Sequence, residues 1–224
     1  MTPDDLEVLR SSSAHVVVDD VEFVELDDDA VHHVFRVLRV RDGEIVTVTD
    51  GFGGWRVCRA VGQVLEADGE PRFEDPAQRA VRVAVAVPKR DRPEWIVQKL
   101  TELGVDSIVL LHAERSVVRW DQERATKHLA KLGKVMAEAL QQSRGVWMPS
   151  IEGPVEAVEV LGDYVVAEPG GRPLGDGDLS VAIGPEGGWS PAELAASRDR
   201  VSLGSTVLRV ETAALAAAVR LQLR

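Results

Sequence analysis

The sequence Gly184-Pro185-Glu186-Gly187-Gly188 restricts what this chain can fold into more than any other feature. It follows an apolar run over residues 179–183, and a short run bounded by glycine and proline predicts a buried strand that ends in a tight turn. Because glycine has no side chain, such a turn lets another molecule approach the backbone closely. Ser190 then predicts a helix N-cap, since Pro191 suits the first helical position and Glu193 completes a capping box.

The next residues repeat this architecture. Residues 201–203 predict a short strand, Gly204 and Ser205 a turn, and Thr212 the cap of a helix over residues 213–223. Two loops that follow neighbouring parallel strands lie side by side at the carboxyl edge of the sheet, where α/β proteins bind ligands. The alternative is that both loops are ordinary connections, since glycine turns after strands are common.

Before residue 76 the pattern is that of a small β-rich domain. Short valine-rich runs separated by glycine turns predict strands at residues 15–18, 21–24, 45–49 and 55–65, which suggests a small barrel. One helix is predicted over residues 30–39, with Asp29 as its cap and an inward face formed by Val31, Val34, Phe35 and Leu38.

From residue 76 onward strands alternate with helices, which predicts a parallel α/β domain. Residues 81–87 form a continuous apolar run of the kind that is buried on both faces of a sheet. Pro93 starts a helix that Gly104 ends, and Asp121 caps a longer helix. We therefore divide the chain into domains 1–75 and 76–224 and expect a Rossmann-like sheet in the second.

Charge is distributed unevenly between these two parts. The net charge of the chain is −11; residues 1–75 hold 7 Lys and Arg against 18 Asp and Glu, whereas residues 76–224 hold 19 of each. Salt-driven, nonspecific binding to nucleic acid is therefore not expected, and any RNA contact must come from local basic clusters. Three clusters qualify: Arg36, Arg39 and Arg41; Lys89, Arg90 and Arg92; and Arg115 with Arg119.

Other classes of protein are disfavoured by composition. The chain has no apolar run of the roughly 20 residues that span a bilayer, and its acidic, polar opening is unlike a signal peptide. The single cysteine, Cys58, excludes an internal disulfide, and the five histidines lack the spacing of metal ligands. We expect a cytoplasmic protein without a metal or membrane partner.

Four motifs together resemble one family. GPEGGWS at 184–190 and LGSTVLRVETAAL at 203–215 are similar to the knotted SPOUT methyltransferases. With HHVFRVLRVRDGE at 32–44 and QKLTELGVDSIVLLHAERS at 98–116, the chain resembles the ribosomal RNA small-subunit methyltransferase E family. The resemblance implies a trefoil-knotted, Rossmann-like C-terminal domain, a PUA-like N-terminal β-barrel that helps to hold RNA, and methylation of N3 of a uridine in 16S RNA.

The resemblance also implies S-adenosylmethionine as cofactor, held by three loops at residues 168–170, 184–188 and 203–213. Backbone groups of glycine turns and an apolar slot can hold its adenine. On this chain the predicted cofactor-binding residues are Glu168, Ile183, Gly184, Pro185, Glu186, Gly187, Gly188, Leu203, Gly204, Leu208, Thr212 and Ala213. The predicted RNA-binding residues are Arg36, Arg39, Arg41, Lys89, Arg90, Arg92, Arg115 and Arg144.

Arg209 and Glu211 are the predicted catalytic residues. Methylation at N3 of uridine requires alignment of the reacting groups and loss of the N3 proton. Arg209 could stabilise the negative charge that develops on a uracil oxygen, and Glu211 could accept the proton or orient the base. The competing interpretation is a surface arginine at a strand end and a helix-start acid that matches the helix dipole.

Two departures from the family pattern leave other functions open. Similar proteins carry Glu at the position of Gln141 and Arg at the position of Thr206. They also carry Arg at the position of Gly145, whereas in this chain the arginine, Arg144, comes one residue earlier. These positions are expected near the RNA base. The alternatives are therefore a non-catalytic RNA-binding or ribosome-binding protein on the same fold, or a SPOUT enzyme with a different RNA target.

The last helix predicts a homodimer. Residues 213–219, AALAAAV, leave it without a polar face for two turns. A helix that is apolar all round is expected to be covered on all sides, and the sheet covers only one. The competing explanation is burial within one subunit, against the long helix.

Overall fold

The computed structural model describes residues 1–89 and 92–222. The chain forms two compact units, the first made of Met1–Ala77 with Ala137–Met148 and the second of Gln78–Met136 with Pro149–Arg224. Residues 137–148 thus group with the first unit, although the sequence-based division at residue 75 places them in the second. The independence of the ranges 1–75 and 76–224 as folding domains stays a prediction.

The first unit contains a mixed sheet, two complete helices and the end of a third. Its elements are helix α1 (Pro3–Ser11), strand β1 (Ala14–Val17), helix α2 (Asp28–His32) continued by a π-helical turn (His33–Val37), and strands β2 (Ile45–Thr49), β3 (Gly54–Val61), β4 (Val64–Ala67) and β5 (Arg72–Phe73). Strand β1 pairs parallel with β2, whereas β3 pairs antiparallel with β2, β4 and β5. Val16, Val34, Val46 and Cys58 are among the residues of its core.

Several details of the first unit differ from the sequence-based expectations. Helix α1 was not predicted, although Thr2 and Asp5 form a capping box around Pro3. The cap of α2 is Asp27 rather than Asp29, and residues 21–24 lie outside any strand. Leu38, predicted on the inward face, is exposed and lies at the C-terminal end of the π-helical turn.

The second unit contains a parallel sheet with helices between its strands. Its elements are β6 (Arg82–Ala86), α3 (Arg92–Glu102), β7 (Ser107–His112), α4 (Gln122–Ser143, of which residues 137–143 belong to the first unit), β8 (Ser150–Glu156), α5 (Ala157–Val160) followed by a 3₁₀ turn (Leu161–Asp163), β9 (Val165–Pro173), β10 (Ser180–Ile183), α6 (Pro191–Ala196), β11 (Asp199–Ser202) and α7 (Val210–Gln222). The strand order is β11-β9-β10-β6-β7-β8, and every pairing is parallel.

Local sequence signals explain most of this unit. Strand β6 is almost wholly buried, as its apolar run predicts. Asp121 caps α4 by accepting a hydrogen bond from the Arg124 amide at 2.9 Å, and Ser190 and Glu193 form the predicted capping box. Thr212 is not a cap, because α7 begins at Val210. The parallel α/β class is confirmed, and the trefoil knot stays a prediction.

The topology places the loops after β6 and β10 next to each other. From β6 the chain builds the sheet outward through β7 and β8, and then returns to place β10 on the other side of β6. Such a reversal is the position at which open α/β sheets bind ligands at the carboxyl ends of their strands. Helix α3 and the glycine turn at 184–188 follow these two strands. Among the described residues, no helix is long and apolar enough to cross a membrane.

Candidate active site

The glycine turn after β10 is built around a buried tryptophan. Trp189 is buried, and its Nε1 donates a hydrogen bond to the Ala167 carbonyl at 3.2 Å. A Cβ at Gly184 would lie 2.8 Å from Cε2 of this indole, so only glycine leaves room for it. Gly188 closes the turn with a φ of 70° and donates its amide to the Pro185 carbonyl at 2.9 Å.

A buried carboxylate fixes the helix that follows this turn. Glu193 is 3% exposed and accepts hydrogen bonds from the Ser190 amide at 2.7 Å and from the Glu114 amide at 2.8 Å. Its two oxygens therefore join the start of α6 to the loop after β7. The same loop meets the glycine turn at Arg115, whose Nη1 donates to the Gly187 carbonyl at 3.3 Å.

The first predicted cofactor loop lies within a strand. Glu168, Pro169 and Gly170 belong to β9, where the sequence predicts a loop. In the pairing with β11, however, Val166 lies opposite Arg200 and Arg172 opposite Val201, so residues 167–171 are left out of this ladder. These residues form an irregularity in the pairing of β9 with β11, and Gly170 has a φ of 83°.

The third predicted loop covers residues 203–213. Residues 203–209 have no regular structure, whereas residues 210–213 are already part of α7. Leu203 and Leu208 are half-buried, whereas Thr206 and Arg209 are exposed. Ile183 is buried at the end of β10, and Ala213 is buried in the first turns of α7, where its amide donates to the Arg209 carbonyl at 2.8 Å. Thr212 is exposed on the same helix.

Three charged side chains meet where these loops converge. Arg92 Nη1 lies 3.4 Å from Glu186 Oε1 and 3.6 Å from Glu211 Oε2. Arg92 begins α3 after β6, Glu186 is in the turn after β10, and Glu211 is in the first turn of α7. The arrangement joins one residue from each of the predicted RNA-binding, cofactor-binding and catalytic sets.

Glu211 differs from the other two members of this cluster. Its Oε2 is buried, yet it has no hydrogen-bond partner among the described residues. A buried carboxylate oxygen without a donor is unusual in proteins. Arg92 Nη1, at 3.6 Å, lies beyond hydrogen-bond distance, so this oxygen keeps unused hydrogen-bonding capacity among the described residues.

The remaining predicted RNA-binding residues lie in several places. Arg36, Arg39 and Arg41 are exposed in the first unit, and Arg39 has a left-handed φ of 59°. Lys89 is exposed after β6, whereas Arg90 lies outside the described residues. Arg144 is half-buried in the first unit, where its Nη2 donates to the Ser12 carbonyl at 3.0 Å. The structure therefore gives Arg144 a hydrogen-bonding role within that unit.

Sequence reasoning missed two residues that shape the site. Trp189 lies directly beneath the glycine turn, and its position next to GPEGG is the only signal in the sequence. Glu193 was predicted as a capping residue, but its second contact, with the loop after β7, depends on tertiary structure. No cluster of three potential metal ligands is found among residues 1–89 and 92–222.

Family models match both parts of the chain. Residues 75–222 match the model of an RNA methyltransferase domain, and residues 26–59 match that of an RNA methyltransferase PUA domain. Two relatives, each called ribosomal RNA small subunit methyltransferase E, come from Mycobacterium bovis and Bacillus subtilis. The relative from M. bovis is 33% identical, and the match covers 86% of this chain and 83% of the relative. The relative from B. subtilis is 30% identical, and the match covers 88% of this chain and 89% of the relative.

Solved structures of similar proteins have the same fold. A ribosomal RNA small subunit methyltransferase E from Neisseria gonorrhoeae, bound to S-adenosyl methionine, superposes with a TM-score of 0.77 at 27% identity, over 94% of this chain and 97% of that one. A putative methyltransferase from Legionella pneumophila, in complex with the same cofactor, superposes with a TM-score of 0.77 at 25% identity. The match covers 93% of this chain and 96% of that one.

Proposed function

This chain belongs to the ribosomal RNA small subunit methyltransferase E family, and from that premise we propose that it transfers a methyl group from S-adenosylmethionine to N3 of a uridine in 16S RNA. The observation that carries the proposal is the buried Glu211 Oε2, unpartnered among the described residues, beside Arg92 and the glycine turn. The family and the fold support the cofactor and the substrate class. The choice of N3 of uridine rests on the family resemblance.

The three loops fit S-adenosylmethionine. In each of them one glycine has a positive φ and open space where a Cβ would lie: Gly170, Gly188 and Gly204. Backbone groups at these positions are accessible to a ligand, and Ile183, Leu203 and Leu208 supply apolar surface. When bound, the cofactor supplies a methyl group on a positively charged sulfur.

In this proposal Glu211 accepts the N3 proton of the target uridine. Its Oε2 has the capacity for one further hydrogen bond, and the cationic Arg92 restricts its orientation. Arg209, two residues earlier, stabilises the negative charge that develops on the uracil oxygen as the proton leaves. Its guanidinium is exposed and therefore free to meet an RNA base.

We further propose that the active form is a homodimer. Helix α7 buries Ala213, Ala214, Ala217, Ala218 and Leu221, which face the sheet and α3. Its opposite side carries Leu215, Ala216 and Val219, which are apolar and only partly covered, and Val219 is 37% exposed. A second copy of this helix would cover that side. Light scattering should then give a mass near twice the 24.3 kDa of the chain.

A substrate in the small-subunit ribosomal RNA supports a cytoplasmic location for the proposed reaction. Arg36, Arg39 and Arg41 are exposed and lie within residues 26–59, which match the model of an RNA methyltransferase PUA domain. They are candidates for RNA contact. The excess of acidic residues before residue 76 restricts such contact to this local cluster.

A second candidate function is RNA or ribosome binding without catalysis. It is favoured by Gln141 and Thr206, which replace an acid and an arginine that similar proteins carry, and the same departures are compatible with a different RNA target. Purified protein incubated with small-subunit RNA and methyl-labelled S-adenosylmethionine decides between these functions. Transfer of label to the RNA supports the enzyme, whereas binding of both ligands without transfer supports the second candidate.

A further inference from the structure

A basic surface lies along the first half of α4. Residues 115–134 contain six Lys and Arg against two Asp and Glu, in a chain whose net charge is −11. Arg124, Lys127, Lys131 and Lys134 are spaced by three, four and three residues, which places them on one face of the helix. The face spans about 15 Å, since an α-helix rises ~1.5 Å per residue.

This face borders a groove of about 950 Å³. The groove is lined by Val117, Val118, Arg119, Trp120, Arg124, Lys127, His128, Ala130, Lys131 and Lys134. Trp120 and His128 stack inside it, with ring centroids 4.1 Å apart and planes 11° from parallel. Val117, which also lines the groove, is 72% exposed. The groove thus combines a row of cations with aromatic and apolar surface.

Part of this positive charge is not neutralised by the protein. Arg119 forms an ion pair with Glu156, Arg124 with Asp121, and Lys131 with Glu94. Lys127 and Lys134 are exposed and have no carboxylate within salt-bridge distance among the described residues. Within residues 1–89 and 92–222, two lysines of the groove lining are therefore without a carboxylate partner.

The groove is joined to the candidate active site by two connections. The loop after β7 contacts the glycine turn through Arg115 and reaches the groove at Trp120, whose amide donates to His112 Nε2 at 3.0 Å. On the other side, Lys131 Nζ lies 2.6 Å from Glu94, in the first turn of the helix that begins with Arg92. These contacts connect the elements that line the groove to the loops of the candidate active site.

We propose that this groove binds a single-stranded segment of the RNA substrate next to the methylated nucleotide. The ammonium groups of Lys127 and Lys134 contact phosphates, and the wall formed by Val117 and the Trp120–His128 pair holds a base. Cationic grooves with aromatic surface are the usual means of holding single-stranded nucleic acid. The inference rests on the proposed function, because it assigns the groove to the same RNA.

The test is the double variant Lys127→Ala with Lys134→Ala, assayed with deproteinised 16S RNA. Each lost phosphate contact on a single strand lowers the slope of log affinity against log salt by ~0.7, so the slope should fall by about 1.4. In 0.1 M monovalent salt this corresponds to a loss of affinity of about 25-fold. The KM for RNA should rise accordingly, with kcat at saturating RNA and cofactor affinity unchanged. The variant Lys127→Arg with Lys134→Arg, which keeps both charges, should bind RNA like the wild type.

The outcomes separate this inference from the proposed function. If the wild type methylates the RNA but the alanine variant has the same KM and salt slope, the groove does not bind RNA. An equal loss in the arginine variant would also overturn the inference, because charge would not be the cause. A defect seen only with assembled small-subunit particles would assign the groove to a ribosomal protein instead. If the wild type transfers no methyl group, the proposed function is wrong. RNA affinity can still be measured in that case, and an unchanged affinity in the alanine variant would show that the groove does not bind RNA.

Discussion

The two units of this protein use their polar residues in different ways. In the first unit, His15 is buried and receives a hydrogen bond from Thr47 Oγ1 to Nδ1 at 2.8 Å, while its Nε2 donates to the Gly145 carbonyl at 2.9 Å. In the second unit, Arg92, Glu186 and Glu211 are grouped at the carboxyl edge of the sheet, and the buried Glu211 Oε2 lacks a hydrogen bond from any described residue. The first arrangement is complete in itself, whereas the second leaves hydrogen-bonding capacity for a ligand.

Charge separates the two parts of the chain as well. Residues 1–75 hold 18 acidic and 7 basic residues, an excess of 11 acidic residues, whereas residues 76–224 are balanced. Within the balanced part, the basic residues of α4 concentrate on one face. The distribution favours RNA contact through local clusters and disfavours binding through overall charge.

The largest expected effect is on turnover in the second unit. Arg209→Ala should lower kcat by about 10²–10³-fold, the range for loss of a group that stabilises developing charge, and Glu211→Gln by about 10²-fold. Single-turnover methyl transfer measures both. Binding of S-adenosylmethionine, followed by calorimetry, should stay within about twofold of the wild type. Near-normal turnover in both variants would give these residues a structural role.

The next effect concerns the stability of the first unit at low pH. Burial lowers the pKa of His15 to about 4, and the nearby Arg144 guanidinium acts in the same direction. The unfolded chain, with a histidine pKa near 6.5, therefore binds more protons than the folded one between pH ~6.5 and 4, and stability falls as the pH falls through that window. The loss should reach roughly 3 kcal/mol at pH 4.

Urea unfolding of the wild type and of His15→Gln at pH 7 and pH 4.5 isolates this contribution. The variant lacks the imidazole, so the advantage of the wild type in free energy of unfolding should shrink as the pH falls. The carboxylates titrate in both proteins and cancel in the difference. An advantage that is the same at both pH values would show that His15 does not titrate as described.

A smaller effect is expected on cofactor affinity. Gly184→Ala places a Cβ 2.8 Å from the buried Trp189, and Gly187→Val places one 3.1 Å from Arg115 Cβ. Overpacking of this kind displaces the turn at a strain of about 1–3 kcal/mol, so calorimetry should show S-adenosylmethionine binding weakened about tenfold or more. Gly177→Ala is the matched control, because no heavy atom lies within 4 Å of its Cβ position. Wild-type affinity in both turn variants would remove the glycine turn from the cofactor site.

The smallest effect is a gain in stability. Gly133 lies within α4, and a Cβ there has no neighbour within 4 Å. Gly133→Ala should raise the free energy of unfolding by up to about 1 kcal/mol, because alanine favours the helix and loses less entropy on folding. Methyl transfer should be unchanged. A destabilised variant would mean that this helix position is not open.

The sequence-based predictions were correct where the signal lies within a few adjacent residues. Strand β2 occupies residues 45–49 as predicted, and the caps at Asp121 and Ser190 are confirmed, because each depends on a few adjacent residues. Thr212 was wrongly predicted as a cap, since the helix starts before it. The local pattern resembled a start, but the chain is already helical at Val210.

The candidate site could be predicted only in part for the same reason. The glycine turn and Glu211 are visible in the sequence, and their motifs indicate the cofactor loops. The contacts of Arg92 with Glu186 and Glu211, and of Glu193 with the Glu114 amide, join residues that are far apart in the chain. Neither periodicity nor spacing carries information about such pairs.

Nucleoside mass spectrometry of 16S RNA measures directly whether this protein methylates N3 of a uridine. Unmodified small-subunit RNA is incubated with S-adenosylmethionine and either the wild-type protein or the Arg209→Ala variant, and the digested nucleosides are quantified. We expect the wild type to produce 3-methyluridine, approaching one per RNA molecule, and the variant to produce far less in the same time. No methylated nucleoside, or methylation only of a different nucleoside, would contradict this expectation.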